Sequence, residues 1–432
     1  MKLSSLDGRK FDVIVCGAGS AGVAAACSAA REGASTVLLE RHGFGGGILT
    51  AAMIHTFDAI KSCLDNDVTV VGGFASMLLD EVGALGGIVG ADNPPEALTV
   101  HPELLKVAVD RLLQRHGVTT LFHAPVGGVL MEHDRVTGVE AVLRDGRARI
   151  GGLVTIDATG DADLAFHAGV PWTIDSGLQP MTCHFRLGGI AAGPDWQRWE
   201  ELTRAALQAA HAAGEIEVFG GPWIIRLGPG EISLNTTRVH GNPVDPLGIS
   251  AAEAAARAQM VRIWEILRRR VPELAQSYIL AGAAQLHIRE SRKIRGDYML
   301  TEEDIRKGTR FPDAIAVGAW PIDIHPADGR VGVHPHKDDA PVPYEIPYRC
   351  LVPQSVEGLL VAGKPISTTH RAHGSTRVPG TSIATGQAAG VAAALAARGG
   401  VSPRRVDVTA LRERLRAQRA IVSASAGIQG TA

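Results

Sequence analysis

Cysteine is scarce, and the five that occur (Cys16, Cys27, Cys63, Cys183 and Cys350) never form a C-x-x-C pair. That excludes a dithiol redox centre, a zinc ribbon and a disulfide framework, and it points to a reducing, cytoplasmic setting. An excess of charge is also lacking. The formal net charge is −2, and there is one short basic run, so nothing invites nucleic acid or another polyanion. No apolar run reaches membrane-spanning length. The longest, residues 381–397, is interrupted by Gln387 and several glycines and reads as a buried helix. Residues 1–10 are polar and lead straight into a strand, so no secretory leader is expected. Internal repeats and low-complexity segments are missing too.

What is present is enough chain for two sizeable cores, 432 residues with 45% hydrophobic and 20% charged side chains. Residues 11–16 form a short apolar run suited to a parallel strand buried on both faces. A glycine turn follows, then an alanine-rich helix over about 21–32, a stop at Gly33, and a second apolar strand over 36–40. This is a β-α-β unit. Residues 101–116 carry Leu104, Leu105, Val109, Leu112 and Leu113 at helical spacing. A strand over 118–122 and β segments continuing to 156 complete the first region. From Pro171 the glycine-loop signature disappears, with helices expected over 195–213 and 250–270. From Gly358 the strand-then-helix pattern returns, at 359–362 and 381–397. The expected architecture is α/β. A discontinuous Rossmann-type nucleotide domain (1–169 and 351–432) carries an inserted β-rich α+β cap (170–350).

Gly17-Ala18-Gly19-Ser20-Ala21-Gly22 is G-x-G-x-x-G set between a buried strand and a helix. Gly17 permits the tight turn, Gly19 admits a pyrophosphate, and Gly22 allows close packing of helix on strand. The helix N-terminus offers Ser20 and Ala21 with unpaired N–H groups and a favourable dipole. Glu40, ending the second strand, suits an adenosine ribose. Arg41 adjoins it, and Gly45-Gly46-Gly47 with Thr50 adds a second glycine loop with more backbone donors. Ala158-Thr159-Gly160 follows a strand late in the same unit, and Val126 is grouped with these cofactor residues. A second G-x-G-x-x-G is missing, so a dedicated NAD domain is not expected. The dinucleotide indicated is FAD.

Near the other end, Gly363 closes a strand, and a loop rich in His, Arg, Ser and Thr over 367–377 leads into Pro379-Gly380-Thr381-Ser382-Ile383. Gly380 would let a flat ring approach the main chain, and a helix starting at Thr381 would stabilise negative charge on a reduced flavin. A polar loop capping an ordinary helix is the plainer alternative.

These pieces together resemble the FAD-dependent oxidoreductase family of the glutathione-reductase-like flavoproteins. The segments are Gly17–Gly22, Gly46-Gly47 with Thr50, 157–161, Arg289-Glu290-Ser291-Arg292, 344–348 and 374–390. His373-Gly374-Ser375-Thr376-Arg377 is more distantly similar to the H-G-x-x-R segment of fumarate reductases and L-aspartate oxidases. That resemblance implies Arg377 as an anchor for a substrate carboxylate and His373 as its neighbour. The residues after Arg377 depart from that pattern. The candidate catalytic set is Arg377, His373, Arg289 and His370.

Residues 285–295 alternate so that His287, Arg289, Ser291, Lys293 and Arg295 would share one strand face. That face is either a solvated edge or a row of cations toward an anion. Asp323 and His325 would share a strand face as a carboxylate–imidazole pair, either general base or structural. His184, expected in a strand over 181–187, is read as a core histidine. His334, His336, Asp338 and Asp339 match no compact ligand pattern, so no metal is expected. His42 lies near the glycine loop, but FAD is taken as non-covalent. The function expected is hydride transfer between a small carboxylate-bearing substrate and the flavin. A flavin monooxygenase using NAD(P)H, an FAD-dependent RNA-modifying enzyme and a flavin sensor are the alternatives. No membrane or nucleic-acid partner is expected; a homo-oligomer and the electron acceptor stay open.

Overall fold

The computed structural model describes residues 4–89, 98–190, 196–326 and 341–424. His334, His336, Asp338 and Asp339 therefore lie outside the described residues. The glycine-turn unit forms as its pattern requires. Strand β1 (Lys10–Cys16) is buried along its second half and is followed by α1 (Ser20–Arg31), then β2 (Thr36–Leu39). Small side chains let α1 lie flat on the sheet, and Gly33, at φ +88°, supplies the left-handed stop. Next come α2 (Pro102–Arg115), β3 (Thr119–Leu121) and the antiparallel run β4 (Val126–Glu132), β5 (Arg135–Leu143) and β6 (Gly146–Asp157).

These strands join one seven-stranded sheet in the order β3-β2-β1-β6-β5-β4. Its seventh strand, β11 (Leu359–Val361), lies parallel to the end of β6, pairing Leu359 with Thr155 and Val361 with Asp157. The chain's late segment thus completes a sheet begun at its start. Helix α6 (Pro379–Gly399) then packs on α1. A side chain at Gly386 would stand 2.1 Å from the carbonyl oxygen of Ala21, and one at Gly390 would stand 2.1 Å from that of Ala25. The two helices meet backbone to backbone, a contact only glycine allows.

A second sheet holds β8 (Trp223–Gly228), β9 (Glu231–Asn235), β7 (Phe185–Gly188) and β10 (Tyr278–Gly282), in that order and all antiparallel. Helices α3 (Trp196–Ala212) and α4 (Pro246–Arg270) cover it. It has its own core, centred on Phe185, Leu207, Leu234 and Ile263. Residues from Leu300 onward, including Ile315, Val317, Tyr344 and Tyr348, pack instead into the core of the first sheet. The stretch expected as cap up to 350 is thus divided between the two cores.

Four local expectations differ from the structure. Within 367–377 the expected loop contains a short helix, α5 (His370–Thr376), whose first turn is capped by Thr369 Oγ1 accepting from Ala372 N–H. Within 285–295 only Lys293–Ile294 is a strand, paired with Trp172–Thr173. Residues 319–326 form no strand, and His184 lies one residue before β7. Over 285–295 and 319–326, alternation alone did not fix the backbone state. No helix among the described residues is long and apolar enough to cross a membrane.

Candidate active site

A cleft opens at the carboxyl ends of the parallel strands, where open α/β sheets place their ligands. Cys16, Leu39, Ala158 and Ala362 line it, one from the end of each of β1, β2, β6 and β11. Its floor is the glycine turn. Gly17 has φ +95°, and a side chain there would meet the Ala158 carbonyl oxygen at 2.4 Å. A side chain at Gly22 would stand 1.7 Å from Gly17 O, so Gly22 closes the turn from behind. At Gly19 the nearest such neighbour is Gly47 Cα at 3.9 Å, which leaves the backbone open to the cleft. Gly19, Ser20, Ala21 and Gly47 all line it, and Ser20 Oγ is buried without a partner among the described residues.

Glu40 is held at one end. Its Oε2 accepts the Ala18 N–H at 2.6 Å and its Oε1 the His42 N–H at 2.8 Å, which ties the second strand to the glycine turn. Arg41 Nη2 donates to Gln285 Oε1 at 2.6 Å, and His42 Nε2 lies 2.9 Å from the same oxygen. Gly46 N–H donates to Ala18 O at 2.8 Å, and Thr50 Oγ1 donates to Gly45 O at 2.9 Å. Gly46 and Thr50 therefore brace the loop while Glu40, Arg41, Val126, Thr159 and Gly160 face the cleft. Behind Thr159, Asp157 accepts both its N–H and its hydroxyl, and also the Ala165 N–H. Burial pushes the Asp157 carboxyl up to about 6.

At the other end the cleft reaches Gly363, Lys364 and Ser382. A side chain at Gly380 would meet the carbonyl oxygens of Asp58 and Ala59 at 2.6 and 2.7 Å. Its N–H donates to Asp58 O at 2.9 Å, so Gly380 serves the packing of this turn. Thr381 and Ile383 are fully buried in α6 and do not line the cleft.

The far wall comes from the second sheet's side. Each cation of 285–295 has its own setting, and the segment is neither a solvated edge nor a single face. Ser291 Oγ donates to Asp161 Oδ1 at 2.6 Å, and Arg292 Nη1 to Asp163 Oδ1 at 3.0 Å. Lys364 Nζ reaches the same Asp161 oxygen at 2.9 Å. Lys293 Nζ lies between Asp175 Oδ2 and Glu290 Oε1, at 2.6 and 2.7 Å. Asp175, Glu290 and His370 are close enough together to hold a metal ion, but the Lys293 ammonium stands among their carboxylates. Arg295 is exposed.

Arg289 behaves differently. It is buried and lines the cleft, with Nη1 donating to Pro180 O at 2.6 Å and to Thr182 Oγ1 at 2.7 Å. Arg238, which no sequence pattern marks, shares Thr182 Oγ1 at 2.8 Å and also donates to Thr237 O at 2.7 Å. A side chain at Gly220 would stand 2.0 Å from Arg238 Cζ, so that glycine makes room for the guanidinium. Arg377 lines the cleft as well and donates from Nη2 to Asp323 Oδ2 at 2.9 Å. Nε of Arg289, Nε of Arg377 and Nη2 of Arg238 are buried with no partner among the described residues.

Burial, and then the neighbouring guanidiniums Arg238 and Arg377, push Arg289 far below its ordinary range. Burial, with repulsion from Arg377, lowers Arg238 to about 9. Asp323 answers them: burial would raise its carboxyl, but His325 and the guanidiniums of Arg377 and Arg289 hold it well below the usual carboxylate range. The Asp323–His325 pair forms at 3.4 Å without a strand beneath it. Burial takes His325 down to about 3 and holds His287 and His184 well below their ordinary range, Arg289 adding to each. His287 lines the cleft, and its ring centre is 5.9 Å from that of His184.

The other two candidate catalytic histidines lie outside the cleft lining. His373 is fully buried, and its Nε2 donates to Arg289 O at 3.0 Å, which supports that backbone from behind. His370 Nδ1 pairs with Glu290 Oε1 at 2.8 Å, and that hydrogen bond raises its pKa. Sequence reasoning missed Arg238, Gln285 and Lys364, which act through contacts between distant segments.

Several solved flavoprotein structures are similar to this chain. Flavin-dependent brominase Bmp2 matches with a TM-score of 0.50 at 14% identity, over 94% of this chain and 83% of that one. A geranylgeranyl bacteriochlorophyll reductase-like protein from Thermoplasma acidophilum matches with a TM-score of 0.49 at 13% identity, over 96% and 85%. A myxobacterial chondrochloren halogenase, CndH, matches with a TM-score of 0.49 at 15% identity, over 95% and 79%. The family model described as FAD dependent oxidoreductase matches residues 12–415, nearly the whole chain. With the glycine cradle and the strand-end cleft, that match is decisive: the chain belongs to the FAD-dependent oxidoreductase family and is an enzyme that takes FAD as its cofactor.

Proposed function

We propose that this enzyme exchanges a hydride with a carbon of a small organic acid whose carboxylate is held by Arg289 and Arg377. The observation that supports this reading is the charge imbalance on the cleft wall. Arg238, Arg289 and Arg377 are each at least nine-tenths buried, and the carboxylate set among them is Asp323. Buried charge is costly unless it is paired, so the wall carries positive charge that a bound anion would offset. A guanidinium meets a carboxylate with two parallel N–H groups, which fixes orientation as well as place.

The cradle fits the cofactor. Glu40 would face the adenosine, the open backbone at Gly19 and the N-terminus of α1 would receive the pyrophosphate, and Gly363 and Ser382 would lie toward the ring. FAD, when bound, supplies the group that accepts or gives the hydride. Arg289 and Arg377 orient the acid, and the apolar strand ends exclude water from it. His287, neutral at pH 7 with a buried, unpartnered Nδ1 at the cleft wall, would hold the substrate's proton at that atom. His373 acts as a positioning residue through the Arg289 carbonyl. The likeness of 373–377 to the carboxylate-binding segment of fumarate reductases and L-aspartate oxidases supports the same assignment for Arg377.

The test is anaerobic bleaching of the flavin absorbance by a panel of organic acids, amino acids and neutral sugars. Acids alone should bleach it, and Arg377→Met should abolish the response while FAD stays bound. Bleaching by uncharged compounds alone would overturn the assignment.

A further inference from the structure

Beyond the guanidiniums, His287 on the same wall and three neighbouring side chains outside the cleft lining carry neutral polar groups that a carboxylate does not satisfy. His184 Nε2, His287 Nδ1, His325 Nδ1 and Gln179 Nε2 are all buried with no hydrogen-bond partner among the described residues. All four side chains are at least nine-tenths buried. They form one neighbourhood with the arginines. The His287 backbone is bridged to Thr182, whose hydroxyl receives both Arg238 and Arg289. His325 and Arg377 share Asp323 Oδ2, and His325 N–H donates to Gln179 Oε1 at 3.1 Å. Trp223 stands between them, its ring 5.5 Å from His325 and 5.3 Å from Arg238.

More than nine in ten buried polar groups in folded proteins find a partner, so a cluster of this kind beside a cleft calls for a partner that the chain itself does not supply. The chemistry of the groups narrows the ligand. A neutral imidazole carries one N–H and one lone pair, and the natural complement is a group that both donates and accepts: a hydroxyl. A second carboxylate would meet lone pairs as often as donors. An ammonium would be pushed away by three guanidiniums in the same space.

We propose that the substrate is a hydroxylated carboxylic acid, with its carboxylate on the guanidiniums of Arg289 and Arg377 and a hydroxyl on the ring of His287, the cleft-lining member of the histidine set. This rests on the carboxylate reading above and adds the second half of the molecule. A plain aliphatic acid would leave His287 Nδ1 unpaired, which is how sites built to pair a hydroxyl reject analogues lacking it.

The experiment uses the FAD-loaded enzyme and reads binding, by flavin difference absorption and by thermal shift, without turnover. Two series are titrated, of three and six carbons. In each, a hydroxy acid (glycerate; gluconate) is set against the acid without hydroxyls (propionate; hexanoate), the amino acid (alanine; norleucine) and the neutral polyol (glycerol; sorbitol). In at least one series the hydroxy acid should bind about tenfold more tightly than each of the others. A hydroxyl-free acid or an amino acid that binds as tightly as the hydroxy acid in both series overturns the hydroxyl assignment and leaves the carboxylate reading standing. A polyol that does so sinks the carboxylate reading itself. Failure of both hydroxy acids to show saturable binding also overturns the proposal. His287→Phe, which keeps a ring and removes its nitrogens, should bring the hydroxy-to-plain ratio toward one; an unchanged ratio overturns the hydroxyl assignment.

Discussion

Arg238→Met separates the cost of the buried charge from its use. Lowering that guanidinium from 12.5 to about 9 corresponds to roughly 5 kcal/mol spent on keeping it charged in the folded protein. Against this stand its hydrogen bonds to Thr182 Oγ1, Asn235 Oδ1 and Thr237 O, at 2.8, 3.1 and 2.7 Å, and its position over the Trp223 ring. Those bonds, made by a charged donor, contribute about 1.5 kcal/mol each, and the ring contact about 1 kcal/mol. The two sides nearly cancel. Urea unfolding of the FAD-loaded protein should therefore show Arg238→Met within about 2 kcal/mol of wild type. Its affinity for carboxylates, read from the flavin spectrum, should fall at least tenfold, because the wall has lost a third of its positive charge. A variant destabilised by more than about 3 kcal/mol with carboxylate affinity intact would show that Arg238 is a structural brace.

Other substitutions report on the frame of the site. Gly386→Ala places a methyl against the Ala21 carbonyl and should cost at least 1–3 kcal/mol in thermal or urea unfolding; an unchanged midpoint would mean that the two helices separate at little cost. Glu40→Gln replaces one accepting oxygen with a donor facing a backbone N–H, so FAD affinity by fluorescence titration should drop about tenfold. Asp157 has a folded pKa of about 6 against 3.8, so its contribution to stability is complete below about pH 3.8 and is lost as pH rises through about 6. Asp157→Asn removes that dependence, and the stability difference, variant minus wild type, should rise by about 2 kcal/mol between pH 4 and pH 7; a flat difference curve refutes the assignment.

The legible part of this protein was the part whose causes are local. A tight turn after a buried strand demands glycine at 17 and 22, and the strand and helix around it follow from apolar pattern alone. Arg377 and Arg289 could be named because each stands in a recognisable segment. Arg238 could not. It reaches the wall from the loop after β9, and what holds it there is a hydroxyl on Thr182 and the missing side chain of Gly220. The helix at His370–Thr376 was equally hidden, since its sequence offers no apolar stripe and its first turn depends on the Thr369 hydroxyl. The cations of 285–295 were visible as charges, but the partners Asp163 of Arg292 and Asp175 of Lys293 lie more than a hundred residues away. The allotment of residues after Leu300 to the first core was illegible for the same reason.

The glycine seam between α1 and α6 also bears on how the protein is made. The first nucleotide-binding turn is synthesised early, but the surface that covers its helix arrives only after more than three hundred further residues. Until then an alanine-lined face of α1 has no partner, and the strand at Leu359–Val361 has yet to join the sheet. The sheet and the seam over α1 can therefore be completed only once the residues up to Gly399 have been made.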